Sequence, residues 1–463
     1  MRACAIAEAA GVRALAVVSS GFVGQARALA RSLGIAGVWV SEYPGVIPID
    51  PSDVLEQKVR AVLVPSLVAG LAARRDHGPP ARPEPDLRSV AFAGTLDEVQ
   101  DHFVDQGWSD GLPVVPPTLD RVRRFLEFTD RDPDEVLGVL RPGEREASVW
   151  TVAANGVMAG CRPEYMPVLV AVTEAVADPE FAVEDAGSTP GWEPLVILSG
   201  GLAKELGFNV GAGVMRVGRR ANSTVGRFVR LLLRNVADLR IPPGDTDKAS
   251  IGYSFNVALA EDDAVIDELG WEPFRVDRGF RRDQDVITVQ SVVAISPPIY
   301  SSGARALDHM ETIAYLLGTT CGPWSFTGVW FGRWHPLLVL GPAVARALAG
   351  DGWGKDDIRR YLFENVVLPA RWFDRYARDV ISSDVSLRDL VEKGEAPRRY
   401  AESEDPERLV PLLLREEWTG IVVAGDPGRN QSRAYINNHR QGAPVSKPVV
   451  LPRRWEELRG ASG

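Results

Sequence analysis

Cysteine is scarce in this chain of 463 residues. Its three copies, Cys4, Cys161 and Cys321, lie far apart and show no C-x-x-C spacing. A small secreted domain held by disulfides would need an even and closely spaced set, so this pattern excludes a disulfide framework and favours a reducing compartment. We therefore expect the protein to work in the cytoplasm.

Long apolar runs are also missing. None reaches the roughly 18–20 residues that a membrane helix needs, and the first residues lack the basic and apolar segments of a signal peptide. Positive charge is in short supply too, because 52 Lys and Arg face 62 Asp and Glu, which gives a net charge of −10. Nucleic-acid phosphates need a basic face, so the composition argues against a nucleic-acid partner as well as against a membrane.

Several well-known catalytic motifs are absent. The five histidines never pair at the H-x-x-H or H-x-x-x-H spacing, so no zinc site is predicted. No G-x-S-x-G segment is present, which removes the usual signal of a serine hydrolase. The glycine-rich segments match neither the P-loop nor the dinucleotide fingerprint, so these patterns identify no cofactor.

What the chain does contain is alternating helical and strand patterns. Residues 1–72 predict a small α/β unit with parallel strands, a partial flavodoxin-like arrangement, and the Pro-rich, Arg-rich residues 73–94 predict a linker. A main domain with the candidate site is expected over 95–300. A C-terminal α/β region, 301–463, is expected to pack on it. The predicted fold class is thus α/β, with a larger α/β or α+β body after the first unit.

The segment around Cys161 carries the first candidate for chemistry. Gly160 precedes the thiol, and Pro163 with Glu164 predicts the first turn of a helix that continues to Ala177. A thiol beside a helix N-terminus meets unpaired N–H groups and the positive end of the dipole, which favour thiolate. We therefore predict a reactive Cys161. The alternative is a small, half-buried cysteine that fills space at a turn.

A glycine-rich segment followed by a helix carries the second candidate. Residues 211–218 lead into Asn-Ser-Thr, good helix caps, and then into an apolar helix predicted over Val225–Val236. Free amides and neighbouring arginines would form a cradle for a phosphate or carboxylate. The alternative is an ordinary capped helix with a solvated arginine face. The predicted substrate-binding residues are Arg219, Arg220, Asn222, Ser223, Thr224 and Arg227, together with Asn155.

Acidic residues supply the candidates for proton transfer. Asp110 lies in a loop stiffened by prolines, Glu164 follows the thiol, and Glu261 opens an Asp-rich cluster after a short apolar run. The predicted catalytic residues are Cys161, Glu164 and Asp110. Clustered acids such as Glu261 can also bind a metal, but no ligand spacing supports this and a solvated turn is the more common use, so no metal site is predicted.

Several of these stretches resemble a known family. Residues 13–71, with Val-Val-Ser-Ser-Gly-Phe at their start, resemble the second half of the UGSC family, which is named for a selenocysteine-or-cysteine, Gly, Ser, Cys motif. Trp108–Pro117, Met158–Tyr165 and Arg220–Arg227 resemble a larger region found with UGSC-like domains in bacterial proteins, as does the stretch 423–432 with Pro444-Val-Ser-Lys-Pro. The resemblance covers most of the chain, although this architecture implies no particular reaction.

The family motif itself falls outside the sequence. The resemblance implies thiol or selenol redox chemistry just before the helix predicted at Arg2–Ala10, and the chain as given begins after that point. Cys4 has the wrong context to replace the motif. We therefore expect no residue of the first unit to inherit a catalytic role.

Three functions are compatible with these patterns. The first is a thiol-dependent enzyme, of redox or lyase type, in which Cys161 acts on a small anionic metabolite held by the arginine cradle. The second is a lyase or hydrolase that uses carboxylates while Cys161 only packs. The third is a non-catalytic binding or assembly subunit. The presence of twelve tryptophans makes a homo-oligomer a further expectation.

Overall fold

The fold belongs to the α/β class, as the sequence predicts. The computed structural model describes residues 2–32, 37–45, 50–73, 88–185, 193–240, 254–322, 334–380, 386–437 and 443–460, together with Ile35 and Ile47. Across these segments, no helix is both long enough and apolar enough to cross a membrane.

Helices and strands alternate along these segments. The helices are α1 (Arg2–Ala9), α2 (Val23–Ser32), α3 (Ser52–Lys58), α4 (Val64–Ala72), α5 (Leu96–Asp105), α6 (Leu119–Leu126), α7 (Val149–Ala159), α8 (Met166–Ala177), α9 (Leu202–Glu205), α10 (Arg220–Asn235), α11 (Asp263–Leu269), α12 (Phe274–Asp277), α13 (Ala306–Cys321), α14 (Pro342–Gly350), α15 (Lys355–Asn365), α16 (Arg371–Val380), α17 (Leu387–Glu392) and α18 (Trp455–Gly460). The strands are β1 (Leu15–Ser19), β2 (Trp39–Tyr43), β3 (Val136–Leu140), β4 (Arg145–Ser148), β5 (Glu193–Ser199), β6 (Leu259–Ala260), β7 (Val286–Val292), β8 (Ala294–Ile295), β9 (Ile299–Tyr300), β10 (His335–Leu340), β11 (Val367–Pro369), β12 (Leu409–Pro411), β13 (Gly420–Val423), β14 (Gln431–Asn437) and β15 (Val445–Pro448).

The N-terminal unit contains two parallel strands. In β1 and β2, Leu15 lies opposite Trp39. The Trp39 ring packs so closely on α4 that a Cβ added at Gly70 would lie 2.5 Å from it. Parallel pairing agrees with the alternation of strands and helices in the sequence. Two strands are too few to define a flavodoxin-like sheet, so that part of the prediction stays a prediction.

The larger body is built on two sheets. In the first, the strand order is β15-β7-β5-β6, with β5 antiparallel to β7 and parallel to β6. Successive residues of a strand point to opposite faces. Accordingly, Val196 and Leu198 of β5 join the core under α7, α8 and α10, while Leu195 and Ile197 face the second sheet.

The second sheet repeats this arrangement on the other side. Its order is β13-β10-β14-β8, and β9 also pairs with β14. Leu338 and Leu340 of β10 join the core under α13, α14 and α15, whereas Leu337 and Val339 face the first sheet. The body is therefore a four-layer sandwich in which helices cover the outer face of each of two packed sheets.

The chain passes between the two sheets twice. Only Val293 separates β7 in the first sheet from β8 in the second, and β15 returns to the first sheet near the C-terminus. The predicted division between 95–300 and 301–463 therefore does not follow the sheets. Local patterns can mark strands, but the pairing that assigns them to a sheet is non-local.

Candidate functional site

Cys161 lies at the end of a helix and not at the start of one. The backbone of Gly160 is left-handed, with φ 81°, and it closes the C-terminus of α7. The Cys161 N–H donates to the Gly156 carbonyl at 3.0 Å. The thiol therefore follows the negative end of the α7 dipole. Helix α8 begins only at Met166, after a short 3-10 turn.

Burial controls the ionisation of this thiol. Cys161 is only 5% exposed and belongs to the core under the first sheet. This burial raises the pKa of Cys161 to about 12, against smaller opposing effects from a hydrogen bond with Thr224 and the charges of Arg220 and Arg227. The predicted thiolate is therefore wrong at neutral pH. The position agrees instead with the alternative of a cysteine that fills space.

Helix α10 begins earlier than predicted. Its first residue is Arg220, and Arg219 before it has an extended backbone. Asn222, Ser223 and Thr224 are therefore the third to fifth residues of the helix and do not act as caps. The Ser223 hydroxyl accepts a hydrogen bond from the Gly218 N–H at 3.2 Å. The predicted capping by Asn-Ser-Thr is thus wrong. The helix begins almost directly after the glycine-rich segment, so these three residues lie inside the helix and not before it.

The two asparagines predicted to bind substrate make internal hydrogen bonds. The buried Asn222 accepts from the Asn209 N–H at 2.7 Å and donates to the Ala258 carbonyl at 3.0 Å. Asn155 accepts from the Asn235 amide at 2.8 Å and so links α7 to α10. Both side chains hold neighbouring segments together, and their substrate-binding role stays a prediction.

Arg227 and Asp110 form a bidentate ion pair. Arg227 Nε lies 2.9 Å from Asp110 Oδ2, and Nη2 lies 2.7 Å from Oδ1. Nη2 also donates to the carbonyls of Leu112 and Pro113. Burial by itself would raise the pKa of Asp110, but the Arg227 guanidinium holds it below its usual range. With side chains 16% and 5% exposed, the two residues fasten the proline-stiffened loop to α10.

The other predicted residues range from the half-buried Glu164 to two exposed arginines. Arg219 and Arg220 are exposed, and Arg220 Nε donates to the Gly160 carbonyl at 3.0 Å. Glu164 lies 3.4 Å from Arg162 in a loose ion pair. The fold thus brings Arg220 and Thr224 to Cys161, as a shared site requires. It places the thiol in the core, however, and the guanidinium groups outside it.

Glu261, expected in a solvated turn, is fully buried. Its carboxylate accepts from the Ser199 hydroxyl at 2.6 Å and from the Phe274 N–H at 2.9 Å. The ammonium of Lys355 lies 3.8 Å away. Burial raises the pKa of Glu261 above its usual range, against the opposing charge of Lys355. The expectation of a solvated turn is wrong, since packing of α12 against β5 and β6 encloses the carboxylate.

A chain of ionic contacts runs from Glu261 towards a cavity. Lys355 Nζ also lies 3.0 Å from Asp277 Oδ2, and Arg359 Nη2 lies 2.8 Å from the same oxygen. Arg359 Nε donates to the Thr419 carbonyl at 3.2 Å. The Asp277 side chain is 14% exposed, so this chain of charges ends at a solvent-accessible surface.

That surface belongs to a cavity of about 300 Å³ at the edge of the interface between the two sheets. The cavity opens where β13 begins, beside α12 and the first turn of α15. We call it the inter-sheet pocket. Its lining residues are Phe274, Asp277, Arg278, Gln290, Asp356, Arg359, Glu416, Glu417, Trp418, Thr419, Gly420 and Pro444.

Arg278 is the cation of this pocket that has only neutral partners. Its Nε donates to the Ser446 hydroxyl at 3.3 Å, and Nη2 donates to the Pro444 carbonyl at 2.6 Å. No carboxylate of the described segments lies within ion-pair distance of it. Burial lowers the pKa of Arg278, and the more distant charges of Asp277 and Glu180 oppose that shift. An anion beside this guanidinium would compensate a charge that the fold has partly desolvated.

Sequence reasoning missed the inter-sheet pocket. Its residues come from five segments spread between Phe274 and Pro444, and none of these segments carries a known motif. The adjacent acids and tryptophan of 416–418 are the only local signal. Cys321 and His309, which could supply further chemistry, lie in or against the core of the opposite outer layer, away from Cys161. Among described residues, no group of three or more His, Cys, Asp or Glu is placed to hold a metal ion.

Comparisons with known proteins add no further assignment. No protein-family model, no curated protein and no solved structure matches this chain. The resemblance to the UGSC family therefore stays a prediction, and the functional argument rests on the geometry of the inter-sheet pocket.

Proposed function

We propose that the protein binds a small anionic metabolite in the inter-sheet pocket, and that Cys161 has a structural role. The observation that carries this proposal is the Arg278 guanidinium, which lines the pocket and, among the described residues, donates only to neutral oxygens. Guanidinium groups bind carboxylates and phosphates through charge-assisted, often bidentate hydrogen bonds. An anion at this position would form an ion pair with the guanidinium and accept hydrogen bonds from its remaining N–H groups.

The acid–base groups of the pocket support a reaction of lyase or hydrolase type. Asp277 uses Oδ2 for both Lys355 and Arg359, while its Oδ1 has no partner within the described segments. A carboxylate oriented by two cations is held rigidly, as a catalytic or binding group must be. We propose Asp277 as the proton acceptor or substrate ligand at this site. A thiol reaction has less support, because the Cys161 thiol is buried and protonated.

A binding experiment with matched probes tests the proposal. Benzoate, malonate and inorganic phosphate would be titrated into the full chain by calorimetry, with benzamide and malonamide as neutral counterparts. We expect at least one anion to bind and its neutral counterpart to bind about tenfold more weakly or not at all. In the variant Arg278→Gln, affinity for that anion should fall by about tenfold or more.

Arg281→Gln is the matched control. Arg281 lies three residues further on, is largely exposed and pairs with Asp283, so its loss removes the same charge without touching the pocket. This variant should keep the affinity of the unmodified protein. Failure of every anion to bind, or equal binding by Arg278→Gln, would falsify the proposed site.

A further inference from the structure

The walls of the inter-sheet pocket include two aromatic rings. Phe274 and Trp418 both line it. The Trp418 ring contacts His335, whose ring centroid lies 4.7 Å away, and the Arg415 guanidinium lies 5.6 Å from the Trp418 ring centroid. Phe274 is fixed in the core between the sheets, where its ring lies next to Gly420. A cavity of about 300 Å³ is at the small end of ligand sites, so it accommodates one ring and its substituents and not a dinucleotide.

Two neutral polar groups of the pocket still have hydrogen-bonding capacity. Thr419 is fully buried, and its Oγ1 has no hydrogen-bond partner in the described part of the chain. Gln290 is 2% exposed and donates through Nε2 to the His335 carbonyl at 2.7 Å, while no described residue donates a hydrogen bond to its Oε1. Buried polar atoms in folded proteins nearly always have a partner, so the unpaired Thr419 hydroxyl is a candidate for a ligand group. It is enclosed in the free protein, and a ligand reaches it only when the pocket wall shifts.

Together these groups define the chemistry of the ligand. Arg278 matches an anion, the aromatic side chains match a flat ring, and Thr419 with Gln290 matches a hydroxyl or amino substituent. We infer that the ligand is a single-ring aromatic carboxylate that carries a hydroxyl or amino group. This inference rests on the proposed function, because it assumes that Arg278 binds the anionic end.

The choice of probes separates the inference from the proposed function. The hydroxybenzoates and aminobenzoates, three isomers of each, would be titrated into the full chain alongside cyclohexanecarboxylate, benzoate and phenyl phosphate. Cyclohexanecarboxylate keeps the charge and approximate size but lacks the flat ring. We expect one substituted benzoate to bind about tenfold more tightly than cyclohexanecarboxylate and more tightly than benzoate. Phenyl phosphate should bind more weakly than the matching carboxylate.

Each outcome has a defined meaning. If cyclohexanecarboxylate binds as tightly as every benzoate and still requires Arg278, the anion site stands and the aromatic inference is overturned. Tighter binding of phenyl phosphate would overturn the carboxylate part. If only phosphates bind, the proposed function stands and the inference is overturned, whereas if no anion binds at all, the proposed function fails before the inference is reached.

Variants of Trp418 test the aromatic wall directly. Trp418→Leu should reduce the preference for the substituted benzoate over cyclohexanecarboxylate to within about twofold, whereas Trp418→Phe should keep most of it. Trp372→Leu is the control, since Trp372 lies on α16, is 40% exposed and does not line the pocket. An unchanged preference in Trp418→Leu would contradict the inference, and Trp418→Phe shows whether a loss comes from the ring or from misfolding.

Discussion

Individual side chains decide which parts of this molecule are available for binding. Thr419 keeps a buried hydroxyl with no partner in the described segments, and Arg278 keeps a guanidinium with neutral partners only. Cys161 and Arg227, which attract attention in the sequence, are instead occupied by packing and by an ion pair. Polar groups that the fold leaves unpaired carry a stability cost, and such costs are concentrated at functional sites.

The substitution Thr419→Val should therefore stabilise the free protein and weaken ligand binding. Valine has nearly the same shape and suits the extended backbone at this position, with φ −80° and ψ 110°. Removing an unpaired buried hydroxyl should raise the free energy of unfolding by about 1 kcal/mol. Chemical denaturation measures that gain. Calorimetry should show about fivefold weaker binding of the best hydroxybenzoate or aminobenzoate.

Ser432→Ala is the control for Thr419→Val. Ser432 is 2% exposed, its Oγ also has no described partner, and it lies in β14 outside the pocket lining. Loss of the Ser432 hydroxyl should leave the affinity for the same hydroxybenzoate or aminobenzoate unchanged. If Thr419→Val destabilises the protein, the hydroxyl has a partner in the fold, and the argument for a ligand group there is lost.

At the scale of elements, α10 organises the first half of the body. Through Arg227 it holds the loop that contains Asp110, and Gly226 lets β6 approach so closely that a Cβ there would lie 2.5 Å from the Val257 nitrogen. Arg234 Nε donates to the Gly107 carbonyl at the other end of the loop. Arg227 and Arg234 of α10 thus serve the tertiary structure, and the anion cradle at the start of this helix stays a prediction.

Removal of the Arg227 side-chain charge should destabilise the fold strongly. Arg227→Gln leaves the Asp110 carboxylate buried without its counter-ion, which costs about 3–5 kcal/mol. Urea denaturation measures the loss. The double variant Asp110→Asn with Arg227→Gln should recover part of it, because no unpaired charge then remains in the interior.

Arg123→Gln provides the comparison for this element. Arg123 pairs with Asp120 at the surface, with side chains 66% and 91% exposed, so its loss should cost less than about 1 kcal/mol. Equal effects of the two arginine substitutions would show that the pair with Asp110 is not a buried interaction.

At the scale of the whole molecule, two packed sheets lie between the outer helical layers. The chain passes from the first sheet to the second between β7 and β8 and returns to the first with β15. Cys161 lies under the first sheet and Cys321 under the second, and burial raises the pKa of both thiols. Because β7 continues into β8, disruption of one sheet disturbs the other. We therefore expect both thiols to report on the unfolding of one cooperative body.

The free energy of unfolding should fall as the pH rises above about 9. The unfolded state loses the Cys161 proton near the ordinary pKa of 9.0, whereas the folded state keeps it up to about 12. The stabilising contribution is complete below pH 9 and decreases by about 1.4 kcal/mol per pH unit for each thiol above it. Urea denaturation from pH 7 to pH 11 measures the slope.

Alanine variants assign that slope to the thiols. Cys161→Ala should show a shallower dependence on pH than the unmodified protein, and adding Cys321→Ala should reduce it again. Below pH 8 the difference between the proteins should stay constant, since no thiol titrates there in either state. Identical slopes with and without Cys161 would mean that its thiol titrates normally in the folded protein.

Local signals in the sequence were sufficient for many elements. Helix α7 (Val149–Ala159) is bounded by local signals alone, because Ser148 caps its first turn and Gly160 adopts the left-handed conformation that ends it. The α/β class follows from alternating patterns in the same way. Helix α10 was located, but its start was misplaced because Arg219 and Arg220 carry no start signal.

Tertiary structure alone decided the site. By itself, the sequence determined the class and the bounds of helices such as α7, since these depend on periodicity and capping within a few residues. Burial of that thiol, the pairing of Arg227 with Asp110 and the enclosure of Glu261 depend on segments that are distant in the sequence. The inter-sheet pocket forms at the edge of the interface between the two sheets. Local sequence patterns do not predict how two sheets pack, so they could not predict the pocket.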